Sequence, residues 1–224
     1  MWLRERLLYM LLKKLVVFTT TLFCILLLSS CGYKIPSLKR FPVLEPKQAF
    51  CQVSDQIKLM VKAFTAQEAE NHFGVDLVGK GYIPLQVKID NQSANTYTIC
   101  PSYVGLSAVS GKKIAKLLHW DTSFFMWSAG YPALLFWWPA TIWVAQGGYG
   151  MYKANKKTDK LVQKCCLESE RKEIHIKPYD IFERFIFVHK NDFTSNFEFK
   201  LYNEDDKRLV RFNVSLADYE FDKN

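Results

Sequence analysis

Residues 83–89 read Ile-Pro-Leu-Gln-Val-Lys-Ile, and this stretch decides the fold. Its apolar side chains occupy every second position, with a proline, a glutamine and a lysine between them. Successive side chains of a β-strand point to opposite faces of the sheet, so the alternation predicts a strand with one buried face. Pro84 has no N–H to donate to a neighbouring strand. We therefore expect this strand to start there or to lie at a sheet edge.

Strand patterns recur on both sides of this stretch and give eight predicted strands. The segments are 57–62, 83–89, 97–100, 104–109, 174–177, 185–188, 197–201 and 210–216. Residues 185–188 are apolar on both faces, which predicts a central strand. Polar turn residues such as Asp90-Asn91-Gln92-Ser93 separate the segments and allow antiparallel pairing. The sequence therefore predicts a mainly β fold, an immunoglobulin-like antiparallel β-sandwich.

A short helix is expected between the first two of these strands. Thr65-Ala66-Gln67-Glu68 has the spacing of a capping box, in which a threonine and a glutamate satisfy the free N–H groups of a helix start. Gly74 follows, and glycine readily takes the left-handed conformation that ends a helix. The sequence predicts a helix that begins after Thr65 and ends at Gly74.

Composition excludes several classes of protein. The chain has 224 residues, of which 49% are hydrophobic and 23% charged. This is too apolar for a disordered chain and too charged for a membrane protein with many spans. The net charge is +8, and it falls to about +5 without residues 1–30, which contain four of the 30 basic and one of the 22 acidic residues. The excess of basic residues is therefore only weak evidence for nucleic-acid binding.

The N-terminus has the features of a secretory signal. Residues 1–14 are basic, residues 15–28 are apolar and uncharged, and Leu28-Ser29-Ser30-Cys31 follows directly. This arrangement resembles the lipobox of bacterial lipoprotein precursors. The resemblance implies cleavage between Ser30 and Cys31, diacylglycerol on the Cys31 thiol, and further acylation, for example with palmitate. Residues 1–30 would then be the signal peptide.

The expected location is the bacterial cell envelope, on its periplasmic or surface face. Several acyl chains hold a protein to a membrane far more firmly than one. Gly32 replaces the aspartate that retains some lipoproteins in the inner membrane, so the resemblance favours the outer membrane. Residues 31–52 are rich in proline and are expected to form a lipidated tether. The β-sandwich should cover residues 53–216, followed by a C-terminal tail at 217–224.

Residues 122–152 form an apolar insertion in the predicted sandwich. They contain no charged residue, and a basic helix is expected to follow at 153–168. Three arrangements remain open: a single membrane span, a kinked hairpin that dips into the bilayer interface, and a helical pair packed on the sandwich or on a partner. For membrane contact, the candidate residues are Trp127, Trp137, Trp138, Trp143, Lys153, Lys156 and Lys157.

Four cysteines remain in the chain after Cys31. An oxidising envelope favours disulfides, and we expect Cys51 and Cys100 to pair separately with Cys165 and Cys166. The alternative is a redox or metal pair at Cys165-Cys166, although no CxxC motif is present. HExxH, GxSxG, Walker and GxGxxG motifs are also missing from the sequence. No cofactor, catalytic site or nucleic-acid partner is therefore predicted.

These features predict a lipid-anchored, non-catalytic envelope lipoprotein whose insertion contacts a membrane or another envelope protein. One alternative is a subunit of a larger envelope complex, with residues 122–152 buried against a partner. The other is an envelope redox protein that uses Cys165-Cys166.

Overall fold

The computed structural model describes residues 13–14, 16–17, 41–46, 49–119, 140–167 and 173–216. The chain divides into two compact units, Met1–Lys34 and Ile35–Asn224. All strands and helices discussed below belong to the second unit.

The second unit contains eight strands and three helices among its described residues. The strands are β1 (Phe50–Ser54), β2 (Ile57–Ala63), β3 (Tyr82–Asn91), β4 (Tyr97–Ile99), β5 (Ile174–Ile176), β6 (Ile181–His189), β7 (Asn196–Asn203) and β8 (Arg208–Ser215). The helices are α1 (Ala66–Phe73), α2 (Gly111–Leu118) and α3 (Ala140–Cys165). The strands form two four-stranded antiparallel sheets with the orders β1-β2-β3-β6 and β5-β4-β7-β8.

The two sheets pack against each other in a sandwich. One face of each sheet contributes to a single apolar core, in which Leu59, Leu85 and Val188 of the first sheet meet Phe199 and Phe212 of the second. All five side chains are fully buried. The alternation that the sequence shows in β2, β3, β7 and β8 therefore reflects this core. The predicted packing of two antiparallel sheets is confirmed, but the three helices make the fold mixed α/β and not mainly β as predicted.

The helices cover the opposite face of the first sheet. Phe185 and Phe187 of β6 point away from the sandwich core and pack with Phe73 of α1, Ile114 of α2 and Val162 of α3. The unit is therefore built of three layers: one sheet, a second sheet, and a layer of helices.

The first helix forms as its sequence predicts. The backbone N–H of Glu68 donates to Thr65 Oγ1 (3.2 Å), and the N–H of Thr65 donates to the Glu68 carboxylate (3.1 Å). Gly74 ends the helix with φ of 74°, and its N–H donates to the carbonyl of Glu70. The predicted capping box and left-handed C-terminal glycine are confirmed.

Residues 104–109 do not form the strand that their sequence predicts. Val104 and Ala108 make only isolated bridges, to Phe199 and Val188. The N–H of Gly105 donates to the carbonyl of Glu198 (2.8 Å), which brings this segment against β7 at a single point. The eighth strand is instead β1, which begins at Phe50, inside the predicted 31–52 tether.

The edge position considered for β3 and the central position predicted for β6 are both wrong, although β3 does begin near Pro84, at Tyr82. β3 is an inner strand although it contains Pro84. Proline is tolerated there because the ladder between β2 and β3 ends at the neighbouring residue, with the Ala63–Leu85 pair. The missing N–H of Pro84 therefore leaves no β2 partner unpaired. β6, which contains residues 185–188, is the last strand of its sheet and not a central one. It is apolar on both faces because the sandwich core contacts one face and the helices contact the other.

Helix α3 joins the last part of the predicted insertion to the predicted basic helix without a break. It ends at Cys165 and not at residue 168, because Cys166 forms a bridge with Phe185 and the N–H of Leu167 donates to the Phe185 carbonyl. Residues 122–139 of the insertion lie outside the described residues. In the part of the chain that the structure describes, no helix combines the length and the apolar character that a membrane span requires.

Candidate membrane-contacting site

Helix α3 has two faces of opposite character. Met151, Thr158, Val162 and Cys165 recur at helical spacing and are buried. The lysines lie on the other face and are exposed: Lys153, Lys156, Lys157, Lys160 and Lys164. Their spacing of three or four residues places them on one side of a helix, so the three lysines named from the sequence belong to a longer exposed stripe.

Two tyrosines continue this stripe towards the helix N-terminus. Tyr149 and Tyr152 are each 58% exposed. The Nζ of Lys153 lies 4.6 Å from the centre of the Tyr149 ring, within the range of a cation–π contact. Tyrosine is enriched at the headgroup level of membranes, because its ring is apolar and its hydroxyl is polar.

The predicted membrane contact of the four tryptophans is not tested by the described residues. Trp127, Trp137 and Trp138 lie outside the described residues. Trp143 belongs to helix α3, but its side chain is not among those described. Membrane contact by the tryptophans therefore stays a prediction.

Helix α2 carries a second basic stripe that the sequence analysis missed. Ile114, Ala115 and Leu118 are buried, whereas Lys112, Lys113 and Lys116 are exposed. The signal was present in Lys-Lys-Ile-Ala-Lys-Leu-Leu, which alternates basic and apolar residues with a helical period.

Helices α2 and α3 pack against each other and are linked by a hydrogen bond between side chains. His119 directly follows α2, and its Nε2 lies 2.8 Å from Oδ1 of Asp159 on α3. Asp159 is the only acidic residue in the sequence of either helix. The exposed lysines of the two helices, which we call the lysine face, are Lys112, Lys113, Lys116, Lys153, Lys156, Lys157, Lys160 and Lys164.

Part of the predicted tether is packed onto the domain in the same layer as the helices. The ring of Phe41 stacks on Phe185, with 5.0 Å between the ring centres. The side-chain amide of Gln86 donates to the Pro42 carbonyl (2.8 Å), and Leu44 is buried. Only ten steps along the chain separate Cys31 from Phe41, so the two are at most about 35 Å apart.

The fold rules out the predicted disulfide partners of Cys51, which is an exposed free thiol. Cys51 lies on β1, whereas Cys166 bridges to the far side of β6. Three strand spacings separate β1 from β6, and a fourth separates β6 from Cys166, which together make about 19 Å. Cys165 is the neighbouring residue, so its distance from Cys51 is similar. Disulfide-bonded cysteines have Cα atoms less than about 7 Å apart. Cys51 therefore cannot pair with Cys165 or Cys166 in this fold, and Cys100 lies half-buried after β4.

The adjacent cysteines are poorly placed for redox chemistry. Cys165 and Cys166, at the C-terminal end of α3, are both buried. Burial raises the pKa of the Cys165 thiol, despite the positive charges of Arg184 and Lys164 nearby. A reactive cysteine needs an accessible thiolate, so the Cys165 side chain has the opposite properties.

One polar cluster on the second sheet combines residue types that are found in catalytic sites. Thr98 donates to Glu204, and the Nδ1 atom of His175 lies 2.9 Å from Thr98 Oγ1 and 2.5 Å from Glu204 Oε1. The hydrogen bonds from Thr98 and His175 hold the pKa of Glu204 below its usual value. A catalytic histidine contacts its acid through one nitrogen and its nucleophile through the other. Here both partners share Nδ1, so the cluster is a structural link between β4, β5 and β7.

Metal binding finds no support in the described part of the chain, where no three His, Cys, Asp or Glu side chains are grouped closely enough to hold an ion. Comparison of the chain with protein-family models, curated proteins and solved structures gave no significant match. Inference about function therefore rests on the residues and their geometry.

Proposed function

We propose that this chain is a lipid-anchored, non-catalytic lipoprotein of the bacterial cell envelope, with its domain on the periplasmic or surface side and its anchor in the outer membrane. The observation that carries the proposal is Leu28-Ser29-Ser30-Cys31, directly after a basic segment and an uncharged apolar run. Cys31 is the acceptor of the lipid. The compact unit that begins at Ile35, just beyond Cys31, is the domain that the lipid would hold at the membrane.

The absence of catalysis is part of this proposal. The Cys165 thiol is buried with a raised pKa, which argues against the redox alternative. The Thr98–His175–Glu204 cluster has the wrong geometry for proton relay. The domain is therefore proposed to act through its surfaces.

We also propose that the domain is immunoglobulin-like in its architecture. Two packed antiparallel sheets of four strands support this assignment. The strand order differs from that of immunoglobulin domains. Here β2 lies between β1 and β3, whereas the second strand of an immunoglobulin constant domain neighbours the first and the fifth. The likeness thus concerns the sandwich and not the chain path.

The experiment that tests the proposed function replaces Cys31 with serine in the full chain, expressed in bacteria. Cys31→Ser removes the thiol that would accept diacylglycerol, so we expect unprocessed precursor with the signal peptide still attached. The matched control is Cys51→Ser, since Cys51 is an exposed free thiol without a proposed lipid. It should be processed and recovered with membranes like the wild type. Normal processing and membrane recovery of Cys31→Ser would refute the lipoprotein assignment.

A further inference from the structure

We propose that the lysine face of helices α2 and α3 binds the phosphate groups of anionic lipids and holds the helical layer of the domain against a membrane. The inference deepens the proposed function, on which it rests for the location of the protein at a membrane. The proposed contact with lipid headgroups involves residues far in sequence from Cys31. It can therefore be measured on a protein that carries no lipid at Cys31.

The charge of the lysine face is concentrated and available. All eight lysines are exposed, and within the described residues none of them forms an ion pair. The one acidic side chain of the two helices, Asp159, is engaged by His119. Clusters of about four to eight basic residues on an amphipathic helix are a recognised basis for binding anionic lipid headgroups.

The opposite outer face of the sandwich differs from the lysine face in its ion pairing. On β7 and β8, Glu198 pairs with Lys200 (2.8 Å) and with Arg211 (3.6 Å). Arg208 pairs with Asp55 (3.2 Å) and Asp206 (3.6 Å). Basic groups there form ion pairs, whereas the eight lysines of the lysine face form none among the described residues. An anionic surface would therefore attract the lysine face more strongly than the outer face of the second sheet.

The packed tether favours the same orientation. Phe41 is stacked on Phe185 within the helical layer, and at most about 35 Å of chain joins it to Cys31. A compact unit of this size is about 40 Å across. A lipid on Cys31 would therefore keep the layer that contains Phe41 and the lysine face near the membrane. This geometric limit favours a lipid surface over a free polyanion as the partner.

Tyr149 and Tyr152 add a second feature suited to lipid. They are exposed on the lysine side of α3 and precede its lysines. Tyrosine at the headgroup level would complement lysines that contact the phosphates. Phosphate attraction should dominate, so binding should weaken as salt screens the charges.

The test uses residues 31–224 with Cys31→Ser and no signal, which retains the whole compact unit from Ile35 but cannot carry lipid. Binding is measured by co-sedimentation with vesicles of mixed phosphatidylglycerol and phosphatidylcholine, and with vesicles of phosphatidylcholine alone. We expect binding to the anionic vesicles only, decreasing with added salt. Equal binding to both vesicle types, or none to either, would overturn the inference.

Two sets of variants locate the contact. Lys156→Gln with Lys157→Gln, and Lys112→Gln with Lys116→Gln, should each weaken vesicle binding by about tenfold or more, since each lysine near an anionic surface contributes measurably. The matched control is Lys177→Gln with Lys207→Gln, which removes the same charge from exposed positions outside the lysine face. Circular dichroism verifies that all variants are folded. Equal weakening by the control pair would contradict a specific lysine face.

A duplex DNA oligonucleotide serves as the competing polyanion. Binding to DNA with the same dependence on lysine-face residues, at equal or greater affinity than to vesicles, would overturn the assignment to lipid.

The outcomes also separate this inference from the proposed function. If Cys31→Ser blocks processing in cells while the lysine variants bind vesicles like the wild type, the lipoprotein function stands and this inference falls. If the lysine variants lose binding while Cys31→Ser is processed normally, the lipid contact stands and the proposed anchor fails.

Discussion

Gly105 and Gly150 show how the surroundings of a single residue decide its effect on stability. A Cβ atom on Gly105 would lie 2.9 Å from the Glu198 carbonyl oxygen and 3.2 Å from its nitrogen, both in the backbone of β7. A Cβ atom on Gly150, in helix α3, would meet nothing within 4 Å. The same substitution should therefore have opposite effects at the two positions.

We predict that Gly105→Ala destabilises the domain by about 1–3 kcal/mol, because backbone atoms must move to make room. Gly150→Ala should stabilise it by up to about 1 kcal/mol, because alanine loses less backbone entropy than glycine in a helix. Urea unfolding followed by circular dichroism measures both changes. A stabilising Gly105→Ala would show that the segment does not approach β7 as closely as described.

His72 gives the domain a specific dependence on pH. Its ring lies among Phe64, Phe73 and Phe185, with ring centres 4.8–5.8 Å apart. Burial lowers the pKa of His72 below the usual 6.5. The unfolded chain therefore takes up a proton at a higher pH than the folded chain does. The contribution of neutral His72 to stability is complete above about pH 6.5 and is lost as the pH falls through the folded pKa.

We predict that His72→Gln reduces the loss of stability between neutral pH and about pH 5, because glutamine does not titrate. The free energy of unfolding, measured by urea denaturation across this range, tests the prediction. His189→Gln is the control, since His189 lies at the end of β6 and is only half-buried. A slope that changes equally in both variants would contradict the role of His72.

At the scale of elements, the position of Phe185 explains how the helical layer packs on the first sheet. Phe185 is fully buried and contacts the rings of Phe41, Phe64, Phe73 and His72. It joins β6 to the docked tether and to helix α1. The helical layer therefore depends on this side chain for much of its contact with the sheet.

We predict that Phe185→Ala destabilises the domain by about 3–5 kcal/mol, through lost burial and the cavity that remains. Val53→Ala on β1 is the control, since Val53 is 65% exposed and should change stability by less than about 0.5 kcal/mol. Chemical unfolding of both variants provides the comparison. A change below about 1 kcal/mol for Phe185→Ala would mean that the helical layer does not pack on β6.

Elements with a strictly alternating pattern were predictable from the sequence, and those in mixed environments were not. β2, β3, β7 and β8 each have one face in the sandwich core, so their period of two is clear. β1 was missed because Phe-Cys-Gln-Val-Ser lies at the sheet edge and is only partly buried. β6 was placed wrongly because an edge strand between two apolar layers has the same composition as a central strand. Sequence alone does not reveal which layer covers each face.

At the scale of the whole molecule, three features favour one orientation relative to a membrane. Cys31, the proposed lipid acceptor, precedes the domain by a short segment. Phe41 packs in the helical layer, and the lysine face lies on helices of the same layer. The lipobox and the lysines of α3 were visible in the sequence, because each is a local pattern. The docked tether and the pairing of α2 with α3 were not visible, because they depend on contacts between distant residues.

The most direct test of the central claim is the intact mass of the wild-type protein, purified with detergent from bacterial membranes. The lipoprotein assignment predicts a chain that begins at Cys31 and carries covalent diacylglycerol and acyl groups, with residues 1–30 removed. Digestion should place the added mass on the N-terminal peptide. A protein that still begins at Met1, or one that begins elsewhere without added lipid mass, would contradict the assignment.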